Sequence, residues 1–193
     1  MERAVVALVT SITRATLDAT PSWLKRPGRV ECGDRWPLMS AVYTDLGSEA
    51  ELPQLAPSRE RRTVDAVLVD QGGGRRILKV DESQHFNAFR AATLQRYRSE
   101  VSVAFDVEAW LRQYRDKRRL EGGEFARPRP PLFPGENGRH RQRAFRDALT
   151  DILPGEHGWL PTLRIGDFEV DGWLHSADAR VRMERLLSRR LTG

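Results

Sequence analysis

The chain of 193 residues has a single cysteine, Cys32, so no disulfide can close within it, and that usage fits a reducing cytoplasm. No run reaches the roughly 18 apolar residues that a membrane-spanning helix needs. The N-terminal "AVVALVTSIT" is too short for one and reads as an amphipathic helix. Besides His85, the three remaining histidines, His140, His157 and His175, do not fall at zinc spacing, and Cys32 has no second thiol to join it, which argues against a structural zinc site. "QGGG" (71–74) lacks the Lys-Ser/Thr of a phosphate-binding loop and joins two strands instead of a strand and a helix. No Ser/His/Asp order stands out, since Ser83 lies too close to His85 in sequence for a triad.

Lysine is the other scarcity. Only Lys25, Lys79 and Lys117 stand against 29 arginines. Arginine makes planar, two-pronged contacts to phosphate and to guanine edges, which favours a nucleic-acid partner. A GC-rich genome produces the same bias, and a net charge of +5 does not decide between the two. The 39% apolar fraction supplies a core, and the 31% charged fraction marks a soluble chain of one ordinary domain.

Residues 4–18 read as a helix, followed by a Pro- and Gly-rich break, "TPSWLKRPGRVECG" (20–33). Asp34 is a candidate cap for a helix over "RWPLMSAVYTDL". "TVDAVLVD" (63–70) and "RRILKVD" (75–81) flank "QGGG" as a β-hairpin. "FNAFRAATLQRYRSE" (86–100) has helical spacing, "VSVAFDV" (101–107) alternates like a strand, and Asp106 can cap the helix after it. Residues 121–138 form a Pro-rich loop. "RHRQRAFRDALTDILP" is a helix with an apolar and a basic face, "LPTLRIGDFEVDGWL" reads as a second hairpin, and Ser176 is placed to cap a final helix. The expected architecture is α/β, with a small mixed sheet, flanking helices and a C-terminal helix-hairpin-helix extension. The segments divide as 1–30, a core over 31–120, the loop 121–138 and the extension 139–193, all in one compact unit.

"KVDESQHF" (79–86) gathers charge at a strand end. Residues two apart share a strand face, so Lys79 and Asp81 point the same way and Val80 the other. Across the hairpin, position 65 is expected opposite 80 or 81, which brings Asp65 within reach of Asp81 or Glu82. Carboxylates with Lys79, Gln84 and His85 beside them suit Mg²⁺ or Mn²⁺ and hydrolysis of a phosphodiester. Bland readings stand beside this one: Asp65 pairs with Arg61 or Arg62, Asp81 and Glu82 cap the helix at 86, and the arginines near 139–146 form a solvated face.

The stretch "VDAVLVDQGGGRRILKVDESQHF" resembles the core of the PD-(D/E)xK nuclease superfamily, in particular the branch of very-short-patch-repair endonucleases. The resemblance covers about residues 31–107. It implies a restriction-endonuclease-like fold, Asp65 as first metal ligand, Asp81 and Glu82 as the second acidic cluster, and Gln84 and His85 as water-orienting residues. The helix with Arg90 and Arg96 also resembles that branch. Together with Arg139, Arg141, Arg143 and Arg146, these side chains are the expected backbone contacts. Glu31 and Asp34 are candidates for a further acid. The implied partner is nucleic acid, DNA first, and such small nucleases often act as homodimers. The whole chain also resembles a family of uncharacterised bacterial proteins sharing "RPGRVECGDRWPLM" and "VDESQHF". One departure matters: Lys79 stands where that superfamily usually has an acid. Two functions follow, a Mg²⁺-dependent nuclease with Lys79 on the phosphate, or an inactive nuclease-fold protein that binds nucleic acid or another protein.

Overall fold

The computed structural model describes residues 1–48, 50–57, 64–97, 100–117 and 126–191. The first helix, α1 (Glu2–Thr13), buries Val5 and Val9, which lie four apart on one stripe. It ends where Arg14 turns left-handed, and Thr16–Asp18 then forms a strand, β1, where a continued helix was expected. Short helices α2 (Ser22–Lys25) and α3 (Arg29–Cys32) and a 3₁₀ turn over Gly33–Arg35 lead into α4 (Trp36–Asp45). Arg35 takes the N-cap position of α4, and Asp34 instead donates its backbone N–H to Glu156.

The hairpin forms as expected from β2 (Ala66–Val69) and β3 (Arg75–Asp81). Its turn is held by Asp70, whose Oδ1 accepts from the backbone of Gly72 and Gly74. Gly73 adopts φ +83°, a left-handed conformation that glycine enters without a Cβ penalty. The pairing sets Ala66 opposite Leu78 and Val67 opposite Ile77. Continued by one residue, that register puts position 65 opposite 79, not 80 or 81.

After a 3₁₀ turn (Ser83–His85) come α5 (Ala88–Gln95) and α6 (Val107–Lys117). Asn87 caps α5, its Oδ1 accepting from Phe89 and Arg90, and Asp106 caps the start of α6 through Ala109. "VSVAFDV" is not a strand: among these residues only Ala104 bridges to Leu163. The long helix α7 (Gly138–Glu156) runs through the interior. Its Gly138 is required by close approach, because a Cβ there would lie 2.5–2.9 Å from backbone atoms of Phe133, Arg129 and Arg127.

The expected C-terminal hairpin is also corrected. β4 (Leu163–Gly166) pairs parallel with β3, not with a following strand, and the chain after it turns into helix α8 (Asp167–Val170). The last helix, α9 (Ala179–Leu191), begins three residues after Ser176, whose hydroxyl donates to Trp173 and Asp178. The sheet order is β1-β2-β3-β4, antiparallel except for the last pair, so residues 1–30 and 139–193 each contribute a strand to the same sheet as the hairpin.

Strand periodicity divides this sheet sharply. Ala66, Leu68, Leu78, Val80, Leu163 and Ile165 pack with α1 and α9 in one apolar layer. The other face presents Lys79, Asp81 and Arg164 toward α7. Beyond α7 lies a second, aromatic-rich core built on Tyr43, Phe86, Trp110, Phe133 and Phe145. No helix among the described residues is long and apolar enough to cross a membrane.

Candidate functional site

The site is built where the charged face of the sheet meets α7. Asp65 stands just before β2, and both its oxygens are engaged: Oδ1 accepts from Lys79 Nζ at 2.5 Å and Oδ2 from the backbone N–H of Val80 at 2.7 Å. The register explains this. A slip of one position exchanges the partner across a hairpin, and here it exchanges an acid for a lysine. The candidate partners Arg61 and Arg62 lie outside the described residues.

Asp81 ends β3 with no exposure to solvent. Arg164 of β4 reaches both its oxygens at 2.7 and 2.8 Å, and Trp110 of α6 donates its indole N–H to Oδ2 at 2.8 Å. The same guanidinium donates to Asp151 at 2.8 Å and to the side chain and carbonyl of Asp147 at 3.2 Å. Asp147 and Asp151 are one helical turn apart on α7, so both point at the sheet. Asp151 in turn accepts from Arg90 at 2.5 Å and Tyr97 at 2.7 Å. His85 completes the cluster, with Nδ1 2.9 Å from Asp147 and 3.6 Å from Asp81.

Six ionisable groups are thus packed into an almost dry interior: three aspartates, two arginines and one histidine. Fixing them ionised raises a sharp electrostatic demand. Burial alone raises the carboxyl of Asp147, but His85 and Arg164 outweigh it and hold the group well below the usual carboxylate range. Asp81 is likewise held low, burial being outweighed by Arg164 and His85. Burial would lower Arg164, and its three aspartates reverse that and raise it. With His85 as imidazolium, the six formal charges cancel.

Several expected site residues therefore have other roles. Arg90 is 2% exposed and bound to Asp151, Tyr97 and Thr93, so it is an interior cation and not a backbone contact for nucleic acid. Arg96 forms a two-pronged pair with Asp45. Arg141 donates to the carbonyls of Leu46 and Gly47, closing the C-terminal end of α4. Glu82 accepts from Gln84 at 3.2 Å. Neither acid caps the helix after 86, which Asn87 does. Glu31 and Asp34 sit at the far end of α7, beside His157 and Glu156.

Residues 41–127 match a family described as a family of unknown function (DUF7255). No curated protein and no solved structure matches the chain. The matched stretch carries Asp65, Lys79, Asp81 and His85, and it stops before α7 and β4, which supply Asp147, Asp151 and Arg164.

The fit to a divalent metal can be tested on these contacts. Asp81, His85 and Asp147 offer ligand atoms within 4.8 Å of one another. Their shared space already receives the Arg164 guanidinium, and Asp65 already holds the Lys79 ammonium. An ion here would meet fixed positive charge at each carboxylate, so the donor set in this arrangement does not fit Mg²⁺.

Outside the buried cluster the same face opens into a cavity of about 120 Å³. Lys79, His85, Arg139, Arg143, Arg146 and Asp147 line it, with Thr150 at its side. Three of the four α7 arginines singled out from the sequence are therefore brought together with Lys79 and His85. The residues missed by sequence reading are Asp147, Asp151, Arg164, Trp110 and Tyr97. Three of them carried a signal: an arginine inside the apolar strand "LRIG", and two aspartates four apart on the apolar face of "AFRDALTDIL".

Proposed function

We propose that this protein binds nucleic acid through its phosphates and does not hydrolyse it with a divalent metal. It is the second of the two functions that the resemblance allows, a nuclease-like scaffold serving as a binding module. One observation carries the reading: Lys79 on Asp65 and Arg164 on Asp81 put a protein cation at two of the three carboxylates expected to hold the metal, while the third, Glu82, accepts from Gln84. The pocket beside them concentrates Arg139, Arg143 and Arg146, whose charge attracts the backbone without reading sequence.

The nuclease reading keeps one observation in its favour, the spacing of Asp81, His85 and Asp147. Calorimetric titration of Mg²⁺ and Mn²⁺ separates the two. The wild type is expected to give no binding heat, and a Lys79→Glu variant, with an acid restored beside Asp65, is expected to bind Mn²⁺, its folding checked by circular dichroism. Metal binding by the wild type that disappears in an Asp65→Ala, Asp81→Ala variant, together with metal-dependent cleavage of a labelled duplex, would sink the proposal.

A further inference from the structure

We propose that the sheet edge beyond β4 is a docking site for the C-terminal segment of a partner protein, an extended peptide that adds itself as a strand beside residues 103–105 and places its terminal carboxylate on Arg189. The site shares no lining residue with the cavity beside His85 and stands apart from the nucleic-acid reading.

The backbone there is a strand in need of a neighbour. "VSVAFDV" alternates as strands do, yet it meets the sheet at one point only, where Ala104 bridges to Leu163 and its N–H donates to the Thr162 carbonyl at 3.1 Å. Successive residues of an extended chain turn their N–H and C=O groups to opposite sides, so those of Val103, and of Phe105 at the end of the stretch, face away from β4. Neither residue makes a backbone hydrogen bond among the described residues. Unpaired donors and acceptors at a sheet edge are a template for one more strand.

An open cavity of about 390 Å³ runs beside the same residues, within the size range of ligand pockets. Ala109 of α6 and Leu186 of α9 join Val103 and Phe105 as its apolar walls. A strand laid along this edge points every second side chain to one face, so an apolar residue at alternate positions meets those walls.

Charge selects the end of the peptide. Two acids line the cavity and each has its own cation: Asp106 pairs with Arg112 at 3.6 Å, and Glu169 with Arg190 at 2.6 Å. Arg189, exposed in the last turn of α9, has no ion pair or hydrogen bond among the described residues. Its planar guanidinium matches the two oxygens of a carboxylate. A terminal carboxylate continues the line of the peptide backbone and takes no side chain from the apolar walls, so one short segment satisfies the backbone edge, the walls and Arg189 together.

The test starts from a library of random octapeptides displayed with free carboxyl termini and selected on the wild-type protein. Enriched sequences are synthesised with an N-terminal fluorescein and titrated by anisotropy. They should carry apolar residues at alternate positions. Amidating the C-terminus, or the variant Arg189→Ala with its fold checked by circular dichroism, should weaken binding about tenfold or more, the loss of one charged hydrogen bond. Methylating the peptide amides one at a time should abolish binding at alternate positions, as strand pairing requires, and the Val103 amide of the wild type should exchange more slowly in NMR when the peptide is bound. A library that yields no enriched peptide overturns the proposal. So does binding that amidation and Arg189→Ala leave unchanged, or a methylation series without alternation. Neither result bears on the nucleic-acid reading.

Discussion

Arg164 stands in a strand whose neighbours Leu163 and Ile165 are fully buried, and it shares that burial with three aspartates. Replacing it by leucine would leave those carboxylates facing one another with only Arg90 and His85 to offset them. Removing one partner from a buried ion cluster typically costs about 3–5 kcal/mol. Arg164→Leu is expected to lose that much in urea unfolding, and Arg164→Lys to recover little, because an ammonium cannot span three carboxylates as a planar guanidinium does. The same contacts set a pH dependence. Asp81 and Asp147 are held below their unfolded values, near 3.9 for aspartate, so the unfolded chain binds more protons in that range. Their stabilisation is complete well above pH 4 and is lost as the pH falls through 4 toward their folded values. Urea midpoints measured from pH 7 to pH 3 should drop in that acidic window, with a smaller drop in an Asp147→Asn variant.

At the level of elements, the cap of α5 is the most local feature to test. Asn87 accepts from Phe89 and Arg90 at 3.1 Å and donates to the carbonyl of Gln84. Asn87→Ala should cost about 1 kcal/mol in chemical denaturation, with Asn87→Asp recovering part of it. The cap at Asn87 was not read from the sequence, which offered Asp81 and Glu82 instead, whereas Asp106 was visible as a cap from its place before α6. The hairpin of β2 and β3 was legible because β-branched runs flank a glycine turn, and α7 because its apolar period is long. β1 was not, since three exposed residues after a helix carry no alternation. β4 was mistaken for half of a hairpin because its partner, β3, lies some 85 positions earlier in the chain, and parallel pairing leaves no turn signal. The alternating "VSVAFDV" failed as a strand for the converse reason, a pattern with no ladder to join. The site suffered most from one residue of register. "KVDESQHF" was rightly singled out as a charged cluster, but its counterions came from α7 and β4, whose approach only the tertiary fold determines.

For the whole molecule, the question is what 29 arginines mean when several of them are paired with carboxylates. Arg90 and Arg164 neutralise buried aspartates, Arg96 pairs with Asp45, Arg182 with Asp178 and Arg190 with Glu169. The arginine bias is thus a structural resource as much as a surface field, and the sequence count alone overstates the charge available to a polyanion. The pocket gathers its arginines at one place, and a local site and a diffuse one respond to salt differently. Three phosphate contacts to a single strand give a slope of log K against log salt of about −2, so affinity falls roughly 20-fold between 50 and 200 mM salt. Losing two of those contacts in Arg143→Ala, Arg146→Ala should bring the slope to about −0.7. Anisotropy titrations of a single-stranded oligonucleotide at four salt concentrations measure both slopes. A slope unchanged by the double substitution would mean that binding comes from charge spread over the surface and that the cavity beside His85 plays no part in it.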